Sequence, residues 1–269
     1  RFLITAEALR RIARRQELPV GIVEKDYAIS WLLKEAYENI ALKEDLLFKG
    51  GTALRKVYFP EAWRLSHDLD FTLLGELKVK ETKDELEQVF RTASTNSGIA
   101  FSLKTFHTTK GSVIANIQFT GPLVRKNQLR MDITLDEKLV LEPEWRIITT
   151  IYPDLLTFEV KAYDLKEILV EKIRTIIQRG KSRDYYDVWR LLREKEFDVD
   201  EIRELLIRKC QINRIEYKPE VIFDDDVLTE VATYWQKALA DLTKELPEFN
   251  EVISELKEKL MHKLEKGVT

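Results

Sequence analysis

Two aspartates separated by one residue, Asp68 and Asp70, are the side chains in this sequence best suited to chemistry. They lie in an alternating segment, and residues two apart on a β-strand point to one face. Two carboxylates this close repel each other unless a cation lies between them. Oxygen ligands of this kind favour a divalent metal, most simply Mg²⁺ (or Mn²⁺), which completes its coordination with water and substrate phosphates. We therefore predict that Asp68 and Asp70 are metal ligands and catalytic residues.

A glycine pair, Gly50 and Gly51, followed by Thr52, stands upstream of the aspartates at the end of a short apolar run. Glycine lets a backbone approach phosphate oxygens closely, and a helix beginning here would direct its N–H groups to the same anion. The Thr52 hydroxyl can cap this helix or bind a phosphate. A Gly-Gly pair alone is usually a turn, and Asp-x-Asp alone is common. The two in this order are much more specific and predict a nucleotide site.

Asp132 is the candidate for a third carboxylate on a neighbouring strand, as a two-metal phosphoryl-transfer site requires. Residues 129–134 alternate between apolar and polar side chains. The apolar positions share one face, so Asp132 lies on the other face with Arg130 and Thr134. An exposed strand aspartate without a role is the alternative, but Asp is depleted in strands. We therefore predict that Asp132 binds a metal or acts as a catalytic base.

The elements that must position these residues follow from the period of the hydrophobic pattern. Helices are predicted over residues 5–15, 22–38, 52–58, 80–95, 165–179, 183–194, 200–211, 225–244 and 249–265. Strands are predicted over residues 46–48, 69–74, 99–108, 112–120, 128–135 and 157–163. The sequence thus predicts an α+β fold with two domains, in which residues 1–163 contain the sheet and residues 164–269 are helical.

The composition excludes several classes of protein. The 269 residues include 44 Lys and Arg against 47 Asp and Glu, and 44% are hydrophobic, which is an ordinary globular mixture. No apolar run approaches the ~20 residues of a membrane helix, so no membrane association is expected. The single cysteine, Cys210, permits no internal disulfide and fits a reducing compartment. We therefore expect a cytoplasmic protein.

Charge is distributed unevenly along the chain. Residues 101–131 contain several Lys and Arg side chains but no acidic residue, and residues 172–193 contain seven basic residues against two acidic ones. The stretch 216–269 is acidic. Two basic zones on an acidic protein indicate a local site for a polyanion, which could line one side of a catalytic cleft. Solvated strand and helix faces explain the same pattern equally well.

The order Gly-Gly-Thr, Asp-x-Asp and a later strand aspartate resembles the core signature of the nucleotidyltransferase (polymerase-β-like) superfamily. More narrowly, Lys-Gly-Gly-Thr-Ala-Leu (49–54) and Arg-x-Ser-x-Asp-Leu-Asp-Phe (64–71) resemble the AbiEii/AbiGii toxins of type IV, abortive-infection toxin–antitoxin systems. Glu-Lys-Asp-Tyr (24–27) resembles a helix near the N-terminus of that family. Glu-Lys-Ile-Arg (171–174) and Arg-Asp-Tyr-Tyr-Asp (183–187) resemble a helical block of the same family. The resemblance covers roughly residues 20–195.

The resemblance carries expectations about the fold and the ligands. It implies a nucleotidyltransferase-type mixed sheet with flanking helices, plus a C-terminal helical domain. It also implies that Asp68 and Asp70 chelate the metal ion. The residues that it assigns to nucleotide binding are Gly50, Gly51, Thr52, Arg64 and Ser66.

The helical block implies further residues that activity needs. Lys172 and one of two aspartates, Asp184 or Asp187, are carried over from the family. On a helix just after the sheet-containing half, Lys172 could reach nucleotide phosphates. The two aspartates are three residues apart, so they face one side of a helix. Structural ion pairs with Lys172 or Arg179 are the alternative, and the sequence does not decide which aspartate matters.

The implied activity is the metal-dependent transfer of a nucleotide from an NTP to an RNA acceptor, with tRNA as the expected RNA and pyrophosphate as the second product. Such a toxin would have a cognate antitoxin, and we expect a monomer. A protein side chain or a small molecule such as an aminoglycoside is the alternative acceptor. A non-catalytic nucleotide-binding protein of the same fold is a further alternative, against which the intact set of carboxylates argues.

Overall fold

A computed structural model of the chain describes residues 4–60, 63–75, 79–135 and 137–265. The chain divides into two units, residues 1–137 with 143–163 and residues 138–142 with 164–269. Among the helices of the described ranges, none combines the length and the apolar character that crossing a membrane requires.

One mixed sheet of seven strands holds the described part of the first unit together. The strands are β1 (Leu46–Lys49), β2 (Asp68–Leu73), β3 (Ala100–Thr109), β4 (Ser112–Thr120), β5 (Lys126–Thr134), β6 (Glu144–Ile148) and β7 (Phe158–Ala162). Their order across the sheet is β3-β4-β5-β2-β1-β7-β6. β2 is antiparallel to β1 and parallel to β5, and β1 is parallel to β7. The predicted mixed sheet is thus confirmed, with β2 at its centre.

The sequence predicts every strand except β6. β6 lies at the edge of the sheet and, among the described strands, pairs with β7 alone. Its apolar residues Trp145 and Ile147 are 43% and 61% exposed. A strand is recognised in a sequence by alternation between buried apolar and exposed polar residues. Ile148 at the end of β6 is buried, so the apolar residues of this short strand do not share one buried face.

The helices of the first unit are α1 (Ala6–Gln16), α2 (Val20–Glu38), α3 (Gly50–Ala53) and α4 (Val79–Ser97). α3 continues as a π-helical turn over Leu54–Tyr58. The predicted helix from Thr52 therefore begins two residues earlier, within the glycine pair. α2 has buried residues all around its circumference and contacts α4, β5 and β7. A helix with apolar residues on all sides is typical of such a buried position.

Alternate side chains of β4 and β5 form the core of the sheet. Val113, Ala115, Ile117, Leu129 and Met131 are each at most 2% exposed. The residues between them are half-buried or exposed, so the other face of the two strands is accessible. We call this accessible side the polar face; on β4 and β5 it carries Asn116, Gln118, Gln128, Arg130 and Asp132.

The second unit consists of helices α5 (Leu165–Arg179), α6 (Ser182–Glu194), α7 (Val199–Ile212), α8 (Asp225–Leu239) and α9 (Phe249–Leu264). Three of these helices begin at aspartates whose side chains accept backbone N–H groups, namely Asp164, Asp198 and Asp224. Its described residues contain no strand, as predicted. The predicted helix 225–244 ends at Leu239, and a 3₁₀ turn follows it.

A buried ion pair attaches residues 138–142 to the second unit. Lys209 and Glu167 are both 0% exposed, and Lys209 Nζ lies 2.8 Å from Glu167 Oε1. The other carboxylate oxygen of Glu167 accepts hydrogen bonds from the N–H groups of Val140 and Leu141. A buried charge is tolerated only with such partners. This pairing explains why the segment packs with helices that follow it in the chain.

Candidate active site

Asp68 and Asp70 lie on one face of β2, as the alternating pattern predicts. Leu69 and Phe71 are 0% exposed, whereas both aspartates are half-buried. This difference follows from strand geometry, since successive side chains point to opposite faces. The two carboxylates therefore reach the accessible side of the strand together.

The pairing of β2 with β5 brings a third carboxylate to the same face. The parallel register sets Asp132 beside Asp70 and Arg130 beside Asp68. Neighbouring strands lie about 4.8 Å apart. Three carboxylates and one guanidinium are therefore grouped on the polar face of two adjacent strands. The sequence predicts both strands, but it does not predict this register.

The Gly50–Gly51 turn lies against Asp70 and leaves no room for side chains. Gly50 has a φ of +78°, in the left-handed region that favours glycine, and a Cβ here would collide with the Asp70 carboxylate. A Cβ on Gly51 would lie 3.0 Å from Arg64 Nη2 and 3.1 Å from Ser66 Oγ. The backbone of the turn, the Asp70 carboxylate, Arg64 and Ser66 are therefore immediate neighbours.

Thr52 joins the glycine turn to β2. Its hydroxyl donates a hydrogen bond of 2.5 Å to the backbone carbonyl of Asp68, and its side chain is buried. This bond fixes α3 against the strand that carries the carboxylates. The contact made by Thr52 is thus a positioning contact, and its role as a phosphate ligand stays a prediction.

Arg130 and Asp132 form an ion pair across one residue of β5. Arg130 Nε lies 3.1 Å and 3.0 Å from the two carboxylate oxygens of Asp132. The pKa of the Arg130 guanidinium is raised, first by this hydrogen bond and then by the charges of Asp132, Asp68 and Asp70, although partial burial opposes the rise. The guanidinium therefore interacts with all three carboxylates. Sequence reasoning places Arg130 on this face without assigning it a role.

Lys25 of α2 lies within electrostatic range of Asp68, and the sequence does not place it in the site. Burial lowers the pKa of the Lys25 ammonium, while the charge of Asp68 opposes this. The pKa of His67 is lowered to about 4, first by burial and then by the charge of Lys25, so its imidazole is neutral at neutral pH. The signal that could have identified Lys25 is its place in the Glu-Lys-Asp-Tyr segment.

Asp26, the next residue of α2, anchors the helical turn that follows the glycines. Its carboxylate lies 2.8 Å from Lys56 Nζ and accepts a 2.8 Å hydrogen bond from the Tyr152 hydroxyl. Lys56 also donates to the Ser30 hydroxyl. Burial alone would raise the pKa of Asp26, but the charges of Lys56 and Arg55 and these hydrogen bonds hold it below its usual 3.8. α2 thus holds the π-helical turn in place.

Lys172, Asp184 and Asp187 come together in the second unit. Lys172 Nζ lies 3.2 Å from Asp184 Oδ1 and 3.0 Å from Asp187 Oδ2, and both aspartates are buried. Arg179 Nη2 lies 3.2 Å from the other oxygen of Asp184. These contacts are the ion pairs that the sequence offers as the structural alternative. A role of the three residues in activity stays a prediction.

The carboxylates of β2 suit a hard divalent cation that shares its ligands with a substrate. In the part of the chain that the structure describes, no group of three or more His, Cys, Asp or Glu side chains forms a metal site. Asp132 is paired with Arg130, and Asp68 and Asp70 project together from one face of β2. Mg²⁺ is usually bound by one or two carboxylates, with water and substrate phosphates completing its octahedron. The residues present therefore fit such an ion.

Comparison with known families gives one match that covers most of the chain. The family model described as nucleotidyl transferase AbiEii toxin, type IV toxin–antitoxin system, matches residues 31–260. That range contains all the predicted site residues of both units.

Individual relatives are more distant. An uncharacterized protein of Aquifex aeolicus (strain VF5) is 29% identical over 93 residues, which are 32% of this chain and 44% of that protein. The match therefore spans less than half the length of this relative. Among solved structures, MenT4, a nucleotidyltransferase toxin from Mycobacterium tuberculosis H37Rv, is similar with a TM-score of 0.65 and 16% identity, over 97% of this chain and 89% of that one. This likeness shows a shared fold.

Proposed function

Since the chain belongs to the AbiEii family of nucleotidyl transferase toxins of type IV toxin–antitoxin systems, we propose that it transfers a nucleotide from an NTP to tRNA and releases pyrophosphate. The observation that carries the proposal is the grouping of Asp68, Asp70 and Asp132 beside the Gly50–Gly51 turn. Phosphoryl transfer depends on positioning and on neutralisation of negative charge more than on covalent chemistry by the protein. A phosphate-binding turn next to metal-binding carboxylates meets both needs.

The triphosphate of the NTP binds at the glycine turn. Without side chains, Gly50 and Gly51 let phosphate oxygens approach the backbone. Arg64 supplies a guanidinium and Ser66 a hydroxyl beside Gly51, and both are donors to phosphate oxygens. Thr52 supports the turn through its hydrogen bond to β2.

The proposed metal is Mg²⁺, or Mn²⁺, since nucleotidyltransferases of this superfamily generally use divalent metal ions. Asp68 and Asp70 would hold it, and Asp132 on β5 would be a further ligand or the base for the attacking hydroxyl. When bound, the ion neutralises charge that develops on the phosphate oxygens. The two aspartates of β2 would hold the ion on the polar face, beside the glycine turn that binds the triphosphate.

Asp132 is the residue best placed to take the proton of the attacking hydroxyl, since it lies in register with Asp70. The acceptor oxygen bonds to the α-phosphorus while the bond from that phosphorus to the bridging oxygen breaks. Pyrophosphate leaves with the electron pair of the broken bond. The proton of the hydroxyl passes to the Asp132 carboxylate.

The acceptor is a nucleic acid, because the basic segment continues along the strand that carries Asp132. Residues 101–131 contain no acidic residue, and Lys104, Lys110, Arg125 and Lys126 are exposed. Lys126 shares the polar face of β5 with Asp132, and six residues of strand span about 20 Å. Basic side chains at this distance can contact backbone phosphates and position the acceptor without reading its sequence.

The remaining assignments complete the proposal. Membership of a toxin–antitoxin family implies an antitoxin partner, and modification of tRNA would stop translation during abortive infection. The toxin acts as a monomer in the cytoplasm, where NTPs and tRNA are found. Residues 1–163 form the nucleotidyltransferase domain. Residues 164–269 form a helical domain in which Lys172, with Asp184 or Asp187, supports activity.

The test is to incubate the protein with each labelled NTP, Mg²⁺ and bulk tRNA and to identify the labelled macromolecule. We expect label on tRNA with the wild type and with Asp84→Asn, a control at an exposed aspartate of α4. Asp70→Asn should give no label. Label on a protein, or on a small molecule such as an aminoglycoside added in place of tRNA, would contradict the RNA acceptor while keeping the chemistry.

A further inference from the structure

Arg130 lies at the point of the polar face where negative charge is most concentrated. Its Nε lies 3.1 Å and 3.0 Å from the oxygens of Asp132, so both oxygens share one donor. The strand register sets Arg130 itself beside Asp68 and sets Asp132 beside Asp70. The guanidinium is therefore a counter-ion within the group of carboxylates that a metal would need.

The ion pair is suited to exchange because both partners remain accessible. The side chain of Arg130 is 48% exposed and that of Asp132 is 35% exposed. Ion pairs at such sites contribute little free energy, since water and salt screen them. By contrast, the pairs that Lys172 makes with Asp184 and Asp187 are buried. Arg130 can leave Asp132 without exposing a buried charge.

The arrangement also limits metal binding. A carboxylate whose two oxygens accept from a guanidinium has fewer lone pairs to offer a cation. In the described residues no three acidic, His or Cys side chains form a metal site, although strand register places Asp68, Asp70 and Asp132 together.

We propose that Arg130 is an exchangeable counter-ion: it occupies Asp132 while the site lacks metal, and it moves to a phosphate oxygen when an NTP enters with its divalent ion. The inference rests on the proposed function and assigns Arg130 a positioning role in it. The exchange conserves charge, because the cation replaces the guanidinium at Asp132 and the guanidinium meets the incoming triphosphate. The planar fork of arginine binds phosphate as well as it binds carboxylate.

Loss of this arginine should therefore strengthen the binding of a metal ion to the free protein and weaken its binding together with the NTP. Mn²⁺ binding is measured by electron paramagnetic resonance, first with Mn²⁺ alone and then with the α,β-methylene analogues of the four NTPs. For Arg130→Gln we expect about fivefold tighter binding of Mn²⁺ alone, since one competing unit charge is worth about a factor of five in water. Binding of the analogue in the presence of Mn²⁺ should weaken about tenfold. A merely structural role would weaken both.

Two further variants make the result specific. Arg91→Gln removes a charge from an exposed arginine of α4 that pairs with Glu87, and it should change neither affinity. Arg130→Lys keeps the charge but loses the planar fork, so its affinity for the analogue should lie between those of wild type and Arg130→Gln.

The outcomes separate this inference from the function on which it rests. Equal affinity of wild type and Arg130→Gln for Mn²⁺ alone, with normal binding of Mn²⁺ and the analogue, would overturn the exchange and leave the metal site intact. If wild type binds no Mn²⁺ even with an analogue, the assignment of the metal site is wrong, and so is the proposed exchange of Arg130. Opposite changes in the two affinities would support both.

Discussion

The Asp70 carboxylate is confined on two sides, by the Gly50 backbone and by the strand partner Asp132. Confinement of like charges in a small volume is costly unless a cation is present. A carboxylate in such a group of like charges is typical of a functional site. At the scale of single residues, the site therefore groups three carboxylates with the Arg130 guanidinium in a small volume.

The first prediction is that Asp70→Asn abolishes nucleotide transfer and leaves the fold intact. The amide keeps the shape of the side chain but removes one charge of the repelling group, so metal binding is lost. Without metal, the melting temperature should be unchanged or slightly higher. Transfer is followed with labelled NTP, and unfolding by calorimetry in the presence of a chelator. Full activity of Asp70→Asn in Mg²⁺ would refute the metal assignment.

The second prediction concerns Ser66, whose hydroxyl lies beside Gly51 in the space proposed for the triphosphate. A negative group on this side chain would repel the NTP. We expect Ser66→Asp to raise KM for the NTP at least tenfold, whereas the neutral Ser66→Asn, of nearly equal size, should raise it less. Steady-state kinetics distinguish the two. Because Thr52 is buried and hydrogen-bonded to β2, Ser66 is the more accessible residue for covalent inactivation. Equal KM values would show that charge does not matter here.

At the scale of elements, three consecutive side chains of α2 interact with the segments that form the site. The buried carboxylate of Glu24 accepts the N–H of Leu123 and packs against Gly121 in the turn before β5. Lys25 lies near Asp68, and Asp26 pairs with Lys56. One helix thus contacts the strand turn and the helical turn after the glycines, and its Lys25 lies within electrostatic range of Asp68. This arrangement gives a physical reason for the Glu-Lys-Asp segment.

The third prediction is that Lys56→Met destabilises the protein by roughly 3 kcal/mol, because removal of one partner leaves a buried charge without compensation. Lys56 and Asp26 are 8% and 18% exposed in their side chains. The matched control is Lys83→Met, which breaks an exposed pair with Glu87 on α4 and should cost less than about 0.5 kcal/mol. Urea unfolding measures both. Recovery of stability in the double variant Asp26→Asn with Lys56→Met would identify the unpaired charge of Asp26 as the cause. Equal losses of stability in Lys56→Met and Lys83→Met would contradict it.

The fourth prediction follows from the lowered pKa of Asp26. A carboxyl group whose pKa is lower in the folded than in the unfolded protein stabilises the fold above its unfolded value, which is near 3.8. That contribution is lost as the pH falls through the folded pKa. The stability advantage of wild type over Asp26→Asn should therefore be constant near neutral pH and should decrease as the pH falls below about 4, towards the folded pKa. Urea midpoints between pH 3 and pH 7 give the comparison. An advantage that does not decrease between pH 5 and pH 3 would mean that ionisation of Asp26 is not its source.

The elements differ in how far the sequence predicts them. β4 and β5 alternate clearly, so their bounds and their polar faces follow from the pattern. The register of β2 on β5, which sets Asp132 beside Asp70, depends on contacts between residues about sixty positions apart and has no local signal. β6 is not predicted because it is short and its apolar residues do not share one buried face, since Trp145 and Ile147 are exposed and Ile148 is buried. The family motifs identify the glycine turn and the aspartates, but the ion pair of Arg130 emerges only from the packed strands.

At the scale of the whole molecule, the formal net charge of −3 hides a separation of charge along the chain. The acidic residues of the stretch 216–269 belong to the helical unit, whereas the acid-free stretch 101–131 forms β3, β4 and the start of β5. An acidic protein with a local basic surface can attract a nucleic acid to one place and repel it elsewhere. The proposed acceptor site therefore predicts how tRNA binding depends on salt, as well as which basic residues contact the tRNA.

The fifth prediction concerns tRNA binding by the double variant Arg125→Glu with Lys126→Glu. The two residues are adjacent and exposed, just before and at the start of β5. Each phosphate contact that is lost removes counter-ion release, so tRNA binding should weaken and its dependence on salt should flatten. Binding of the NTP should change little, because the glycine turn and the aspartates hold it. The control is Arg10→Glu with Arg11→Glu, an equally exposed adjacent pair on α1. Filter binding at several salt concentrations gives affinity and slope for both. If the β5 variant modifies tRNA at the wild-type rate in moderate salt, this surface is not the RNA site.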